Sequence, residues 1–400
     1  MTSAVTLPQV DWLQRRGLSA LITALNGKAR YVGGAVRDTL LGHPVKDVDI
    51  ATPLLPDDVM ERLRAADIKV IPTGVEHGTV TAVLPDGPVE ITTLRRDVST
   101  DGRRATVAFS DNWEEDAARR DFTINALFAN PETLEISDYF GGLVDLEAQR
   151  VRFIGSAKQR IAEDHLRIMR YFRFLARFGQ HNVDQDTFDA CRIAARELGK
   201  LSRERVADEL MKLLATDDPL YAIEEMIAAN IFDHIVSAID SNAIQVLAPL
   251  MLREKEFGIP PNPVRRLAGL LPKDLDITGK ITKNLRFSKK LQRATTDRLK
   301  YEEVNADTIE ALAYHHGAEA ARDIALLFAS DQNLASCLQI LEGWQKPTFP
   351  LKGGDLIAMG MQPGPAVSKL LAKVEDSWIK EGFPSDARVH EILDQIGISR

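Results

Sequence analysis

The sequence predicts an α+β protein, with a small mixed domain over residues 1–150 followed by an all-helical remainder. Three observations predict it. Short β-rich runs alternate with turns and helical segments up to about residue 150. Beyond about residue 155 strand signals nearly vanish, and apolar residues recur at three- and four-residue spacing. Proline-rich breaks at 258–263 (GIPPNP) and 346–350 (KPTFP) then divide the helical part. The expected partition is 1–150, 151–215, 216–345 and 346–400.

In chain order, Ala29–Gly33, Val48–Thr52, Ile68–Pro72, Gly78–Leu84 and Val89–Leu94 read as strands. Leu54–Asp58 reads as a turn and cap before a helix over Val59–Ala66. Helices are expected over Ile161–Phe178, Asp186–Leu198, Arg203–Ala215 and Pro219–Ala229. The last fifty residues read as a helical tail with loop-forming Gly353-Gly354 and Pro363-Gly364-Pro365.

The chain has 400 residues, 44% hydrophobic and 27% charged, which fits a soluble globular protein of two to four domains. No apolar run is long enough to span a bilayer, so no membrane partner is expected. The N-terminus lacks a basic start followed by an apolar core, so no secretory signal is expected. Cys191 and Cys337 are far apart and fit neither a disulfide framework nor a zinc site; a reducing cytoplasm is the natural reading.

The net charge of −8 argues against a general nucleic-acid binder, but a basic footprint can be local. From Lys280 to Lys300 eight basic residues stand against one acid, Asp297. Lys283, Arg286, Lys289 and Lys290 are the candidates there for RNA phosphates, the plain alternative being a solvated helix face. His315-His316 read as ordinary surface residues, since no metal-ligand partners stand at useful spacing.

The richest stretch is Tyr31-Val-Gly-Gly-Ala-Val-Arg-Asp38, followed by Lys46-Asp-Val-Asp-Ile50. Gly33 and Gly34 follow a strand and precede a helix, so their N–H groups suit a triphosphate near a helix N-terminus. Alone they would be a turn. Arg37 would add a charged fork for a phosphate oxygen, and Asp38 would orient it or cap the helix. Asp47 and Asp49 point to one side of a strand. Paired carboxylates are costly without a cation, and Mg²⁺, shared with substrate phosphates, is the usual occupant. Glu90, on a neighbouring strand, is the candidate third carboxylate, placed to align or deprotonate an attacking hydroxyl; the plain alternative is a strand-face salt bridge. Together these features suggest phosphoryl or nucleotidyl transfer.

Two further clusters extend the site. Arg119, Arg120, Asp121 and Asn125 crowd into 118–127, where Asp121 would cap a helix, Arg120 hold phosphate, and Asp121 and Asn125 read ribose hydroxyls. In 162–173, Asp164 and Arg167 stand at i and i+3 on the expected helix and share a face. Cytosine and adenine each present an exocyclic amine beside an unprotonated ring nitrogen, which a carboxylate acceptor beside an arginine donor matches; guanine and uracil mismatch it. One such pair would select CTP and ATP without a template, whereas the plain alternative is an intrahelical ion pair. Arg170 and Arg173 would back up the triphosphate or brace the pair. Between the clusters, Thr100–Ala105 reads as a charged, mobile loop.

Taken in order, Gly-Gly-Ala-Val-Arg-Asp, Asp-x-Asp, Arg-Arg-Asp-Phe-Thr-Ile-Asn-Ala and Glu-Asp-x-x-Arg-x-x-Arg resemble the motifs of class II tRNA nucleotidyltransferases, with which bacterial poly(A) polymerases share their fold. Residues 100–105, 138–143 and 201–210 are also family-like; the strong likeness covers roughly 28–214. The resemblance implies a DNA-polymerase-beta-like nucleotidyltransferase head, a neck carrying the nucleotide-selecting motif, a tRNA-binding body and a tail. It implies Asp47 and Asp49 as metal ligands, Asp164 and Arg167 as an amino-acid template for C and then A, and a loop near 100–105 that helps the switch. The implied partners are the tRNA 3′ end, CTP and ATP. No His-Asp dipeptide is present, so a phosphohydrolase appendage of that type is not supported. The alternatives are a poly(A) polymerase, a CC- or A-adding enzyme, a non-catalytic RNA-binding protein, and a nucleotide-binding metabolic enzyme without an RNA partner.

Overall fold

The computed structural model describes residues 5–101, 104–179 and 181–396. The chain forms two compact units, Met1–Ser237 and Ala238–Arg400.

Within the first unit, a seven-stranded sheet has the order β3-β4-β5-β2-β1-β8-β9. Its strands are β1 (Arg30–Val32), β2 (Val48–Thr52), β3 (Val70–Gly74), β4 (Thr79–Leu84), β5 (Gly87–Thr93), β8 (Leu127–Ala129) and β9 (Ile136–Asp138). The β2–β5 pair is parallel and the remaining pairs are antiparallel. A separate ladder pairs β6 (Arg95–Asp101) with β7 (Arg104–Phe109). The head helices are α1 (Leu18–Ala24), α2 (Gly34–Leu40), α3 (Pro56–Ala65), α4 (Trp113–Ala118) and α5 (Gly142–Glu147).

Five expected strands are present within one or two residues of their bounds. The differences have local causes. Helix α3 begins at Pro56 rather than Val59, because proline's missing N–H and fixed φ suit the first helical position. Strands β8 and β9, three residues each, are too short to show a period. The expected loop 100–105 is carried by strand backbone on both sides, with Thr100 opposite Ala105 and Asp101 opposite Arg104. Its centre, Gly102 and Arg103, lies outside the described residues.

The neck consists of α6 (Ala157–Glu163), α7 (Leu166–Phe178), α8 (Gln185–Ala194) and α9 (Arg203–Leu214), followed by α10 (Leu220–Ala228) and α11 (Phe232–Ile235). The single helix expected over Ile161–Phe178 is two helices. Asp164 between them has extended backbone, φ −152° and ψ 106°. The helix expected over Asp186–Leu198 likewise ends at Ala194 and continues as 3-10 turns to Lys200.

Helix α7 is amphipathic in an unusual way. Ile168, Met169, Tyr171, Phe172 and Leu175 are buried on one face, while Arg167, Arg170, Arg173 and Arg177 line the other. Head and neck share one aromatic core. Phe122 stacks on Phe153 at 4.8 Å and meets Phe174 of α7 at 4.9 Å, and all three are buried. Burying such rings stabilises by about 1.5–3 kcal/mol each. This shared core is why residue 150, a change of texture in the sequence, is not a boundary between compact units. Gly142 lets α5 close on the head, since a Cβ there would meet the Thr123 carbonyl oxygen at 2.4 Å.

The second unit is helical: α12 (Ser241–Glu256), α13 (Pro263–Leu270), α14 (Leu275–Asn284), α15 (Lys289–Asp297), α16 (Ile309–His316), α17 (Ala318–Phe328), α18 (Asp331–Leu341), α19 (Gly353–Ala358), α20 (Pro365–Lys380) and α21 (Asp386–Gln395). Its α12–α17 part is built around a buried ion network. Glu254 accepts from Arg265 and Arg266, and Asp323 accepts from Arg265 and Arg298. The tail helices close a second cluster around Leu356, Val374, Trp378, Val389 and Leu393, onto which Tyr314 packs. Among the described residues no helix is long and apolar enough to cross a membrane.

Candidate active site

Strand β2 carries the centre. Val48 and Ile50 point into the core, and Asp49 between them faces the open side. Asp47 stands exposed one residue before the strand. Because β2 and β5 run parallel in register, Asp49 is directly opposite Glu90. Burial pushes the Asp49 carboxyl up to about 6; Glu90 and Asp47 act in the same direction and Arg120 opposes them. No ion pair holds Glu90 among the described residues, so the salt-bridge alternative for it is not realised. Gathered carboxylates with so little counter-charge suit a divalent cation. Among the described residues no group of three or more His, Cys, Asp or Glu side chains is placed to hold a metal ion by itself. Asp47 and Asp49 would leave the remaining positions to other oxygens, as Mg²⁺ sites shared with phosphates do.

Gly33 turns the chain from β1 into α2 at φ 68° and ψ −123°, a conformation open to glycine. A Cβ there would lie 3.5 Å from Nη1 of Arg120. Arg120 is anchored by its other face, Nε and Nη2 donating to Asp116 Oδ2 at 3.2 and 2.9 Å.

Arg37 departs from the expected phosphate fork. It is buried, Nε and Nη2 donate to Asp38, Nη1 donates to Asn125 Oδ1, and the guanidinium lies 4.3 Å from the Phe178 ring centre. The fork is therefore taken up inside the protein. Asp38 does orient it, and also accepts from Arg177 Nη2 at 3.0 Å.

Asp121 is not a helix cap. The element after it is a short 3-10 turn, Thr123–Asn125, whose N-cap is Phe122. Asp121 Oδ1 accepts from the Phe122 N–H at 2.9 Å and from Asn125 Nδ2 at 3.0 Å, and Oδ2 accepts from Arg170. Burial alone would raise this carboxyl; Arg170, Asn125 and the Phe122 N–H hold it below its usual value instead. The last turn of this network is Glu209 of α9, which accepts from Arg173 Nε at 2.7 Å.

Asp164 and Arg167 do not form the intrahelical pair of the plain reading, because Asp164 sits in the break before α7. Its Oδ1 accepts from the Leu166 N–H at 3.1 Å and its Oδ2 from Arg205 Nη2 at 2.7 Å. Arg167 Nη1 instead donates to Glu163 Oε2 and to the Arg160 carbonyl, at 2.5 and 2.7 Å. Each member of the pair thus has its own holder.

Nine of the ten expected nucleotide contacts come together. Gly33, Gly34, Arg37, Arg120, Asp121, Asn125, Asp164, Arg167 and Arg170 line one cavity of about 540 Å³ with Asp49. Arg205, Phe174 and Leu166 complete it. Arg173 faces instead a second cavity of about 560 Å³, together with Asp47, Lys46, Arg177 and Lys212; Gly34, Arg37 and Asp49 border both. The sequence reading missed Arg205, Glu209 and Arg177 as individual site residues. Only the family-like 201–210 segment, which contains Arg205 and Glu209, hinted at two of them.

In the second unit, Lys283 lies in the last turn of α14, Arg286 follows that helix, Ser288 caps α15, and Lys289 and Lys290 occupy its first turn, all exposed. Three others of the basic run are paired within the protein, while Lys280 is exposed. Arg298 is buried on Asp323, while Arg293 and Lys300 share Asp297. His316 is not an ordinary surface residue. It lies half-buried, hydrogen-bonded to the Tyr301 hydroxyl at 2.5 Å, with burial lowering its pKa against Asp297.

A protein-family model described as the poly A polymerase head domain matches residues 29–152, and one described as a probable RNA and SrmB-binding site of polymerase A matches 182–242. The chain is 35% identical over 390 residues to the mitochondrial CCA tRNA nucleotidyltransferase 1 of Mus musculus, spanning 92% of this chain and 86% of the relative. It is 35% identical over 388 residues to the CCA-adding enzyme of Streptococcus mutans, spanning 93% and 94%. Among solved structures, the Bacillus stearothermophilus CCA-adding enzyme in complex with CTP superposes with a TM-score of 0.75 at 25% identity, covering 93% of this chain and 94% of that one. The Thermotoga maritima CCA-adding enzyme complexed with tRNA shares the fold, with a TM-score of 0.64 at 21% identity over 94% and 93%. Nucleotidyltransferases of this kind generally use divalent metals. Matched along nearly its whole length by these relatives, the chain belongs to the CCA tRNA nucleotidyltransferase family.

Proposed function

We propose that this protein adds CCA to the 3′ end of tRNA from CTP and ATP without a nucleic-acid template, releasing pyrophosphate. The observation that carries this is a single cavity lined by Asp49 and also by Asp164 and Arg167. Nucleotide selection and chemistry then share one bound nucleotide. The curated relatives named above are CCA enzymes, which favours this reading over the poly(A) and binding-only alternatives.

Asp47 and Asp49 would hold Mg²⁺, which when bound supplies charge neutralisation at the transferring phosphoryl group. The chain's own residues do the rest. Gly33 and Gly34 offer backbone N–H groups to the triphosphate at the start of α2, with Arg120 beside them. Asp121 and Asn125 face the same cavity as the ribose-reading pair. Asp164 accepts the exocyclic amine of cytosine or adenine, and Arg167 donates to the adjacent ring nitrogen. Arg205 and Glu163 hold these two in direction. Arg170 and Arg173 brace the pocket through Asp121 and Glu209. Glu90 aligns or deprotonates the attacking 3′-hydroxyl.

In this scheme residues 1–150 act as head, 151–215 as selecting neck, 216–345 as tRNA-binding body and 346–400 as tail. Lys283, Arg286, Lys289 and Lys290 contribute phosphate contacts. Both cysteines are buried and free, which supports a reducing cytoplasmic setting.

Labelled CTP and ATP supplied with Mg²⁺ to a tRNA lacking its CCA should be incorporated as two C, then one A, and then stop; repeated A without C would mean a poly(A) polymerase. Asp47→Ala should reduce incorporation by about 10²–10³-fold or more while tRNA still binds in a filter assay. Asp164→Ala should relax discrimination against UTP by about 1–3 kcal/mol, read as the ratio of kcat/KM values. Charge reversal at Lys289 and Lys290 should weaken tRNA binding and leave the KM for CTP unchanged.

The raised Asp49 carboxyl also makes a pH prediction. The folded protein holds this proton more tightly than the unfolded chain, so the associated stability is present below about pH 4 and is lost as pH rises through about 6. Without divalent metal, Asp49→Asn should therefore raise Tm above pH 6 and leave it unchanged at pH 4, as scanning calorimetry would show.

A further inference from the structure

We infer that Arg160 is the positioning residue that fixes the base-reading Arg167 relative to the triphosphate-side segment Arg119–Asp121. Arg160 itself does not line the nucleotide cavity. Base choice by this centre then depends on a buried arginine that stands outside it. The inference rests on the proposed selection of CTP and ATP by Asp164 and Arg167.

Arg160 lies in the last turn of α6, and its side chain is 8% exposed. A guanidinium taken so far out of water needs acceptors for its N–H groups. It finds them on both sides of the head–neck junction. Toward the head, Nη2 donates to the carbonyl oxygens of Arg119 and Arg120, each at 2.5 Å. Those carbonyls belong to the chain just leaving α4, where helix geometry supplies no partner. The same short segment carries the Arg120 side chain and Asp121, both of which line the nucleotide cavity. Toward the selector, Nη1 donates to Glu163 Oε2 at 2.6 Å.

Arg167 meets Arg160 by two routes. Its Nη1 donates to Glu163 Oε2, the oxygen that Arg160 also uses, and to the carbonyl oxygen of Arg160. In an unbroken helix that carbonyl would take the Asp164 N–H. The extended backbone at Asp164 ends α6 at Glu163 and leaves the carbonyl to Arg167. Two guanidinium groups on one carboxylate oxygen repel each other, so neither shifts without disturbing the other. Arg160 is the fixed member, with three acceptors drawn from two segments, whereas Arg167 uses Nη1 alone for both of its contacts. The pairing of Arg160 with Glu163 at i and i+3 would by itself be ordinary helix bracing. The two carbonyls, 41 and 40 residues away in the chain, make it a cross-link between the motif beside the triphosphate and the motif that reads the base.

Arg160→Gln removes the charge and the reach to both sides. Binding of CTP, UTP and inorganic tripolyphosphate, each with Mg²⁺, is measured by calorimetry on the full chain without RNA. The unmodified protein should prefer CTP to UTP. In Arg160→Gln that preference should fall about five- to tenfold. Affinity for tripolyphosphate should fall about two- to fivefold, because the Arg119–Arg120 backbone loses its charged donor. Glu163→Gln should lower the preference as well, and the double variant no further than the more severe single one, since both act through one contact. Arg160→Lys guards against a failure to fold. A lysine keeps the charge but lacks the planar fork that reaches Glu163 and both carbonyls, so it should fold and still lose preference. A CTP-to-UTP ratio unchanged in both Arg160 variants, even with a lowered Tm, is the result of a mere brace and overturns the inference. Single effects that add in the double variant overturn it too. An unmodified protein that prefers CTP but incorporates no CMP sinks the proposed reaction, while the binding ratios still decide on Arg160. An unmodified protein without the preference sinks the selector reading, and the inference with it.

Discussion

The arginine face of α7, docked against carboxylates of the head, is the interaction on which this site depends. Arg177 reaches Asp38 and Arg170 reaches Asp121 across the head–neck junction, and Arg173 ties the same helix back to Glu209 of α9. Aromatic rings fill the spaces between them, with Arg170 and Arg173 over Phe174 and Arg177 over Phe178. Such ion pairs cost desolvation and give modest net stability, but removing one partner strands a buried charge at about 3–5 kcal/mol. Their value is geometric, since they tie α7, with Arg167 in its first turn, to the head.

The centre itself is held under electrostatic tension. Asp49, Glu90 and Asp47 are placed by a parallel register and one extra residue, with no nearby side chain to neutralise them fully. Arg37 is committed to internal order, and Asp49 is left with a raised pKa. Gly33, between β1 and α2, adopts a backbone conformation open to glycine, so no side chain stands at that turn.

Much of this was legible beforehand. Glu90 read correctly as the neighbour of Asp49 across β2 and β5, whereas Asp47, expected on the same strand face, stands one residue before the strand. The misreadings share one cause. Periodicity alone ran α6 and α7 together, so Asp164 and Arg167 looked like one helical face. In the fold, a two-residue break turns the Asp164 carboxylate toward Arg205. Arg37 looked like a phosphate ligand because an arginine after a glycine turn carries no mark of its burial. Arg298 looked like part of a basic surface for the same reason, although it is buried against Asp323.

By itself, then, the sequence determined the fold class, the carboxylates at β2, the glycine turn and the identity of most groups that line the cavity around Asp49. Those depend on residue type and short-range spacing. Only the tertiary structure decided which charges remain available to a substrate. It consumed Arg37 and Arg298 internally, gave Asp164 and Arg167 separate holders, and set Arg177 and Lys212 around a second cavity. Pairing of charges is a matter of distance between segments far apart in the chain, and no local pattern records that distance.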